Sequence, residues 1–284
     1  MANETWLDNL NPLKITEDEK VKGSFINTYS KIHKVSMDEA TMIYEKENMY
    51  FKKALTGSDK LQKCTKISLY SAFIEIAIQG ISTQPGQKSE AYLESRGSNI
   101  GTKEAQNWIN SCMLRITAYG ELNMRISSGQ IIRMKNPIVL YEGDHFQPLT
   151  NQRGELYVDY KPAIPRKSQK IYGAWVCIEL PGNSLDFKWL LEDDIKRLKG
   201  YSAKQSSVNA LYTADNGQID PGFLEAKTIK HAMRAYTKLR VSDVAAFEDE
   251  PTDEEKEPQV PFGEAPAETP EGGIKVKLDP NESF

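Results

Sequence analysis

Cations and apolar residues recur on opposite faces of the last helix that the sequence predicts, over residues 221–240. The cations follow one another at intervals of three, four and four residues: Lys227, Lys230, Arg234 and Lys238. At about 100° per residue they share one face, while apolar residues from Ile229 to Leu239 share the other. Such a helix can pack on a core and present cations to phosphates, whose neutralisation releases counterions. A solvated helix face is the alternative interpretation of this helix taken alone.

Further cations lie in predicted strands and in one loop. Arg133 and Lys135 alternate with Ile132 and Met134, which predicts one cationic and one apolar strand face. Neighbouring predicted strands carry Arg96 and Arg115. The loop over residues 161–170 contains four cations and no acid: Lys161, Arg166, Lys167 and Lys170. Aromatic residues near these segments can stack on bases: Trp108, Tyr119, Tyr157 and Tyr160. Together these segments favour a nucleic-acid ligand.

The net charge of −4 hides a segregation of charge along the chain. Residues 248–284 contain 12 acidic and 3 basic residues, a net charge of −9. Residues 1–247 therefore keep 33 basic and 28 acidic residues, a net charge of +5. A basic body with an acidic tail is typical of proteins that bind polyanions.

Motifs that would support catalysis are incomplete. Residues 97–103 resemble a phosphate-binding loop, but the segment is one residue short and has Thr before Lys. Glu225 and Lys227 have the E-x-K spacing of metal-dependent nucleases, yet they fall on a predicted helix where that motif needs a strand. The three cysteines and three histidines are scattered, which disfavours a metal cluster and favours buried thiols in a reducing cytoplasm. We therefore predict no catalytic site, no metal and no cofactor.

The elements that must position these residues are helices at both ends of a sheet. Ser36 and Glu39 fit a capping box for a helix over 36–55, and a second helix over 68–79 ends at Gly80. Strands are predicted over 91–96, 113–118, 130–135, 137–146, 171–180 and 184–190, with helices over 119–128, 192–199 and 221–240. This pattern predicts an α+β fold with a central, mainly antiparallel sheet and flanking helices.

We expect three regions along the chain. Residues 1–20 are predicted to form a flexible arm and residues 21–247 a core for DNA binding and oligomerisation. Residues 248–284 are predicted to be a disordered acidic tail, because they cannot bury enough apolar surface to offset their ordering entropy. Since no apolar run is long enough to span a bilayer and no signal sequence is evident, we expect neither a membrane anchor nor secretion.

The order of segments resembles the phage RecT type of single-strand annealing protein. Residues 68–73, 79–86 and 91–93 resemble that family's helix, its "L-G-L-x-P" turn and the following strand. Residues 115–130 resemble its strand-helix-strand signature ending in "S/T-G-Q", here Ser128-Gly129-Gln130. Residues 142–146 are similar to its "E-G-D-x-F" strand end, and residues 226–228 with Tyr236 resemble its "K-K-T" helix. The matches run in order from about residue 37 to residue 241.

The resemblance implies a protein that binds single-stranded DNA and anneals it to a complementary strand without ATP. It also implies that identical subunits assemble into a ring or helical filament, which holds the annealed duplex intermediate. It also implies a partner 5′→3′ exonuclease, a link to the host single-strand-binding protein and a location in the bacterial cytoplasm. Carried over by position, Arg125, Lys227 and Thr228 become candidate DNA contacts. Tyr119 and Ala226 stand where the family often has cations, and Arg115 and Lys230 are candidates to replace them.

Other functions fit the same residues. A non-annealing accessory protein that binds single-stranded DNA or RNA would share every basic segment, and a metal-dependent nuclease or a virion subunit are weaker alternatives. The tail ends in Asp279-Pro-Asn-Glu-Ser-Phe284, similar in chemistry to the acidic, Phe-terminated tips of single-strand-binding proteins. It is expected either to compete with DNA or dock on a replication partner, or simply to keep the protein soluble.

Overall fold

A layer of helices forms the first part of the fold. The structure is a computed structural model, and it describes residues 6–101, 105–205 and 209–236. The first helices are α1 (Glu19–His33), α2 (Met37–Thr56), α3 (Asp59–Gln62) and α4 (Lys66–Gln79). Ser36 Oγ accepts a hydrogen bond from the Glu39 amide (3.1 Å), and Gly80 ends α4 with a φ of 65°. Both predicted helix ends are confirmed, because serine satisfies an orphan amide and glycine adopts positive φ without strain.

The helical layer has its own apolar core. Its largest fully buried side chains recur at helical spacing on α1, α2 and α4: Phe25, Phe51, Leu55, Leu69, Phe73 and Ile76. The rings of Phe25 and Phe73 lie with their centroids 4.7 Å apart. Since burying one such side chain stabilises the fold by about 1.5–3 kcal/mol, these contacts fix the three long helices against one another.

Residues 6–18 are packed on the helical layer, within the segment 1–20 for which the sequence predicts a flexible arm; residues 1–5 lie outside the described residues. Two 3-10 helices, Trp6–Asn9 and Pro12–Glu17, precede α1, and Ile15 is fully buried. The Tyr44 hydroxyl donates a hydrogen bond to the Thr16 carbonyl (2.7 Å). α1 is not among the predicted elements, although Val21, Phe25 and Tyr29 recur at helical spacing and pack in the apolar core of the helical layer.

A two-stranded hairpin leads out of the helical layer. β1 (Ala91–Asn99) pairs antiparallel with β2 (Trp108–Ile116), and Ala91 lies opposite Ile116. Cys112 and Leu114 point from β2 into the helical core, and the Thr65 amide donates to the Asn110 carbonyl (2.8 Å). The predicted strand over 91–96 is thereby confirmed and extended, and the one predicted over 113–118 is confirmed but begins earlier and ends at Ile116, because Thr117 caps the helix that follows.

The second part of the fold is a four-stranded antiparallel sheet around β7 (Ile171–Glu179). β8 (Leu185–Leu191) pairs along one side of β7. The other side is shared by β3 (Arg133–Met134), which faces Glu179, and β4 (Ile138–Tyr141), which begins opposite Trp175. The turn from β7 to β8 places Gly182 and Asn183 at φ 82° and 61°, as the hairpin signal predicts.

Two predicted strands differ from the structure. The strand predicted over 137–146 is interrupted at Gly143 (φ 97°), and β5 (His145–Thr150) forms a separate hairpin with β6 (Leu156–Lys161), a strand that was not predicted. The strand predicted over 130–135 shrinks to β3, because the amides of Gln130 and Ile131 still donate to the Arg125 carbonyl at the end of α5 (Ala118–Ser127).

Helices cover one face of the central sheet and the β5–β6 hairpin packs on the other. α5 and α7 (Pro221–Met233) pack against Val176 and Ile178 of β7, and α6 (Glu192–Gln205) lies beside them, followed by the 3-10 helix Ala210–Tyr212. Trp175 and Cys177 point to the opposite face, in one cluster with Phe146 of the hairpin. The predicted α+β class is confirmed, and no helix in the described ranges is long and apolar enough to cross a membrane.

Candidate nucleic-acid interface

The two faces predicted for the last helix are present on α7. Asp220 caps the helix by accepting a hydrogen bond from the Phe223 amide (2.8 Å), and Pro221 occupies its first turn. One face is fully buried against the sheet and α5: Leu224, Ile229, Ala232 and Met233. Lys227 and Lys230 are half-buried and Arg234 is exposed. The three cations span about 10 Å along the helix axis. Lys238, the fourth cation of the predicted stripe, lies outside the described residues.

Thr228 lies on the packed side of α7. Its side chain is fully buried, and its hydroxyl donates a hydrogen bond to the Leu224 carbonyl one turn earlier (2.8 Å). The resemblance implies a DNA contact at this position, but in this structure the hydroxyl faces the core. We therefore assign Thr228 to the packing of α7.

Two predicted arginine contacts are also buried. Arg115 and Arg125 are each only 8% exposed. The Arg115 Nε lies 2.6 Å from a carboxylate oxygen of Glu94 on the neighbouring strand, and an Arg125 guanidinium nitrogen donates to the Met233 carbonyl at the end of α7 (3.2 Å). A buried cation is tolerated only where acceptors surround it, so both arginines hold elements together. Arg115 is therefore not an exposed substitute for the cation missing at Tyr119.

A cation from another segment lies beside Tyr119. Lys88, in the irregular segment before β1, has its Nζ 5.6 Å from the centroid of the Tyr119 ring. Tyr119 is half-buried, and desolvation together with the charge of Glu225 raises the pKa of its hydroxyl. Lys88 was missed in the sequence because no periodic element contains it, and only the fold brings it to this position.

Two exposed cations, Arg133 on the edge strand β3 and Lys135 directly after it, lie near the end of α7. Arg133 pairs with Glu179 (2.5 Å), whereas Lys135 forms no ion pair with a described residue. Met134, between them, packs in the same apolar cluster as Met233. Ile132 was expected on the apolar face but is exposed, because Ile131 fills the core instead. We name the five surface cations of α7 and β3 the helix–edge group: Arg133, Lys135, Lys227, Lys230 and Arg234.

The four cations of the loop after β6 form a second set, which we name the loop group: Lys161, Arg166, Lys167 and Lys170. All four are exposed. The Arg166 guanidinium lies 3.9 Å from the centroid of the Tyr141 ring. Lys161 and Lys170 lie 3.9 and 3.7 Å from carboxylate oxygens of Asp159 and Glu142, whereas Lys167 has no ion-pair partner in the described ranges.

One member of each group lies at one of the two ends of β7. Lys170 directly precedes the strand, and Arg133 pairs with Glu179, its last residue. At about 3.3 Å per residue, these ends are about 26 Å apart. The predicted contacts therefore do not form one cluster. Arg96 belongs to neither group, since it lies exposed on β1 opposite Ser111, on the same hairpin as Trp108, which is 64% exposed.

The residues of the nuclease alternative lack the arrangement that a nuclease needs. Glu225 and Lys227 lie on α7, as predicted, and not on a strand. Desolvation raises the pKa of the Glu225 carboxyl, which lowers its suitability as a metal ligand. Within the described part of the chain, no three His, Cys, Asp or Glu side chains lie close enough together to hold a metal ion.

Comparison with known proteins identifies one family. A family model described as the RecT family matches residues 40–261, more than three quarters of the chain. No curated protein matches the sequence significantly.

Proposed function

The chain belongs to the RecT family, and from this premise we propose that it binds single-stranded DNA as a homo-oligomer and anneals complementary strands without ATP. Membership places it among proteins of phage-type DNA recombination and annealing. The proposal extends to a ring or filament assembly, to a 5′→3′ exonuclease and the host single-strand-binding protein as partners, and to action in the bacterial cytoplasm. These extensions rest on the family resemblance.

The DNA-binding part of the proposal rests on α7, which is buried on one side and lies at the protein surface on the other. Leu224, Ile229 and Met233 are fully buried, so the opposite face is held at the surface with Lys227 and Lys230 on it. Cations on a fixed helix face meet a phosphate backbone without a large loss of conformational entropy. Because phosphates carry no sequence information, such contacts bind any single strand.

Annealing follows if the protein holds the backbone and leaves the bases free. The helix–edge and loop groups would neutralise phosphates at separate places along one strand, with Arg133 and Lys170 at the two ends of β7, about 26 Å apart. The Watson–Crick edges then remain readable by a second strand, and base pairing decides which strand is accepted. In this mechanism the protein lowers the repulsion between two polyanions, and its residues form no bond with either strand.

A pairing assay tests annealing directly. Two complementary labelled oligonucleotides are mixed with the purified protein in the absence of ATP, and duplex formation is followed by fluorescence. We expect faster pairing than without protein, and no duplex from a non-complementary pair. A protein that only coats single strands would slow the pairing, and this result would exclude annealing while leaving DNA binding intact.

The assembly is tested by electron microscopy of the protein with the two strands added one after the other. We expect rings or helical filaments whose length or stability increases when the second strand arrives. Single subunits on both strands would contradict the oligomeric part of the proposal.

A further inference from the structure

The turn between β4 and β5 holds the loop that carries the loop group. Asp144 is its central side chain. One of its carboxylate oxygens accepts a hydrogen bond from the Tyr141 amide (3.0 Å), and the other accepts one from the Ala163 amide (2.8 Å). Tyr141 ends β4, and Ala163 lies in the loop after β6. A single carboxylate therefore joins two segments that are 19 residues apart.

The same carboxylate also supports the residue on which Arg166 packs. The guanidinium of Arg166 lies over the Tyr141 ring, with 3.9 Å between its central carbon and the ring centroid. Burial raises the pKa of the Tyr160 hydroxyl, on which the charges of Asp144 and Arg166 act in opposite directions. Asp144 thus fixes the aromatic partner of Arg166 through the Tyr141 amide, and it fixes the loop that carries Arg166 through the Ala163 amide. Because a stacked guanidinium keeps few rotamers, Arg166 is held in one orientation although it is exposed.

The other members of the loop group lack such support. Lys167 has no ion-pair partner among the described residues, and Lys161 and Lys170 form only long, exposed ion pairs. Exposed pairs of this kind contribute little to the conformation of a lysine side chain. Arg166 is therefore distinguished within the group by the network that orients it.

We propose that Asp144 is a positioning residue for Arg166, and that the oriented guanidinium binds a phosphate of the single-stranded DNA backbone. This inference rests on the proposed function, because it assigns one contact within the same DNA-binding surface. The Asp144 carboxylate accepts hydrogen bonds from two backbone amides, so it acts through Arg166 and does not touch DNA.

A double-mutant cycle tests the coupling. Affinity for a labelled oligothymidine is measured by fluorescence anisotropy over a range of salt concentrations, for Asp144→Ala, Arg166→Ala and the double variant. We expect Arg166→Ala to weaken binding about 3- to 10-fold and to reduce the salt slope by about 0.7, the value for one phosphate contact on a single strand. Asp144→Ala should approach the same loss, and the double variant should bind no more weakly than Arg166→Ala.

Two further variants separate positioning from general loosening of the fold. Asp144→Ala combined with Lys230→Ala, at a distant member of the helix–edge group, should show additive losses. Asp144→Asn keeps one carbonyl acceptor and should restore part of the affinity. If Asp144→Ala fails to fold, Tyr141→Leu and Tyr141→Phe replace it, since phenylalanine keeps the stacking face and leucine does not.

Each outcome bears on a defined claim. Wild-type affinity in Arg166→Ala or in Asp144→Ala, or additive losses in their double variant, would overturn the positioning role while DNA binding by the wild-type protein stands. Equal affinities of Tyr141→Leu and Tyr141→Phe would overturn it as well. Failure of the wild-type protein to bind oligothymidine would instead remove the proposed function itself.

Discussion

On α7, a buried face fixes the cations of the opposite face, whereas the loop over residues 161–170 has almost no buried face of its own. Leu224, Ile229 and Met233 are fully buried beneath the helix, but Ile164, the large apolar residue of the loop, is 85% exposed. The loop takes its conformation from single contacts such as the hydrogen bond from the Ala163 amide to Asp144. One cationic surface thus depends on the apolar core and the other on a few polar contacts.

This difference indicates how each surface should respond to substitution. A helix held by many apolar contacts shifts little when one surface side chain changes, so its cations should contribute independently. A loop held by one carboxylate is a coupled unit, and removing one member alters the others.

The largest effect on stability is expected from truncating a buried side chain of α7. Ile229→Ala should destabilise the protein by about 2–5 kcal/mol, because it opens a cavity in a fully buried site. The same change at exposed Ile164 of the loop should alter stability by less than about 0.5 kcal/mol. Urea unfolding followed by circular dichroism measures both. Equal losses of stability in the two variants would show that Ile164 contributes to apolar packing as much as Ile229 does, and would contradict the comparison.

The next effect concerns DNA affinity. Replacing Lys227, Lys230 and Arg234 together with Ala should weaken single-strand binding on the order of 10- to 100-fold for every sequence, and should reduce the salt slope by about 2. The matched control removes three exposed lysines of the helical layer, Lys31, Lys53 and Lys63. Anisotropy titrations at several salt concentrations compare the two. Equal losses would mean that net charge, and not a local surface, determines binding.

The sequence predicts regular elements best. The caps of α2 and α4, the β7–β8 hairpin and the two faces of α7 depend on residues that are near neighbours in the chain, such as Ser36 with Glu39. Local spacing is enough to predict such features. α1 and β6 were not predicted, although Val21, Phe25 and Tyr29 recur at helical spacing and Leu156, Val158 and Tyr160 alternate. The partners of both elements in the core lie on distant segments of the chain.

The candidate site was predicted less completely than the fold. Exposed cations of α7 and of the loop were identified, but residue type alone does not distinguish an exposed arginine from a buried one. Arg115 forms an ion pair with Glu94, 21 residues earlier, and Arg125 donates a hydrogen bond to a carbonyl 108 residues later. Lys88 reaches Tyr119 only because the fold brings the segment before β1 next to α5. These pairings depend on tertiary contacts that charge patterning cannot indicate.

A smaller effect tests the packed side of α7. Thr228→Val keeps the shape of the side chain but removes the hydroxyl that donates to the Leu224 carbonyl. We expect a loss of stability of about 1 kcal/mol or less, since that carbonyl keeps its helical partner. The affinity for single-stranded DNA should stay within about twofold of wild type, whereas the loss of a phosphate contact would lower it further. A loss as large as that of Lys227→Ala would place Thr228 in contact with DNA.

The smallest effect lies at the start of α7, where burial raises the pKa of Glu225 above its usual value. The unfolded chain then releases this proton at lower pH than the folded protein, so the group's contribution to stability falls as pH rises from about 4.5 through the raised pKa. Glu225→Gln cannot ionise. It should match the wild-type urea midpoint below pH 4 and exceed it modestly at pH 7. If the variant is less stable than wild type at pH 7, the ionised carboxylate must have a stabilising partner. Lys88 is the candidate, because its charge favours the ionised form of Glu225.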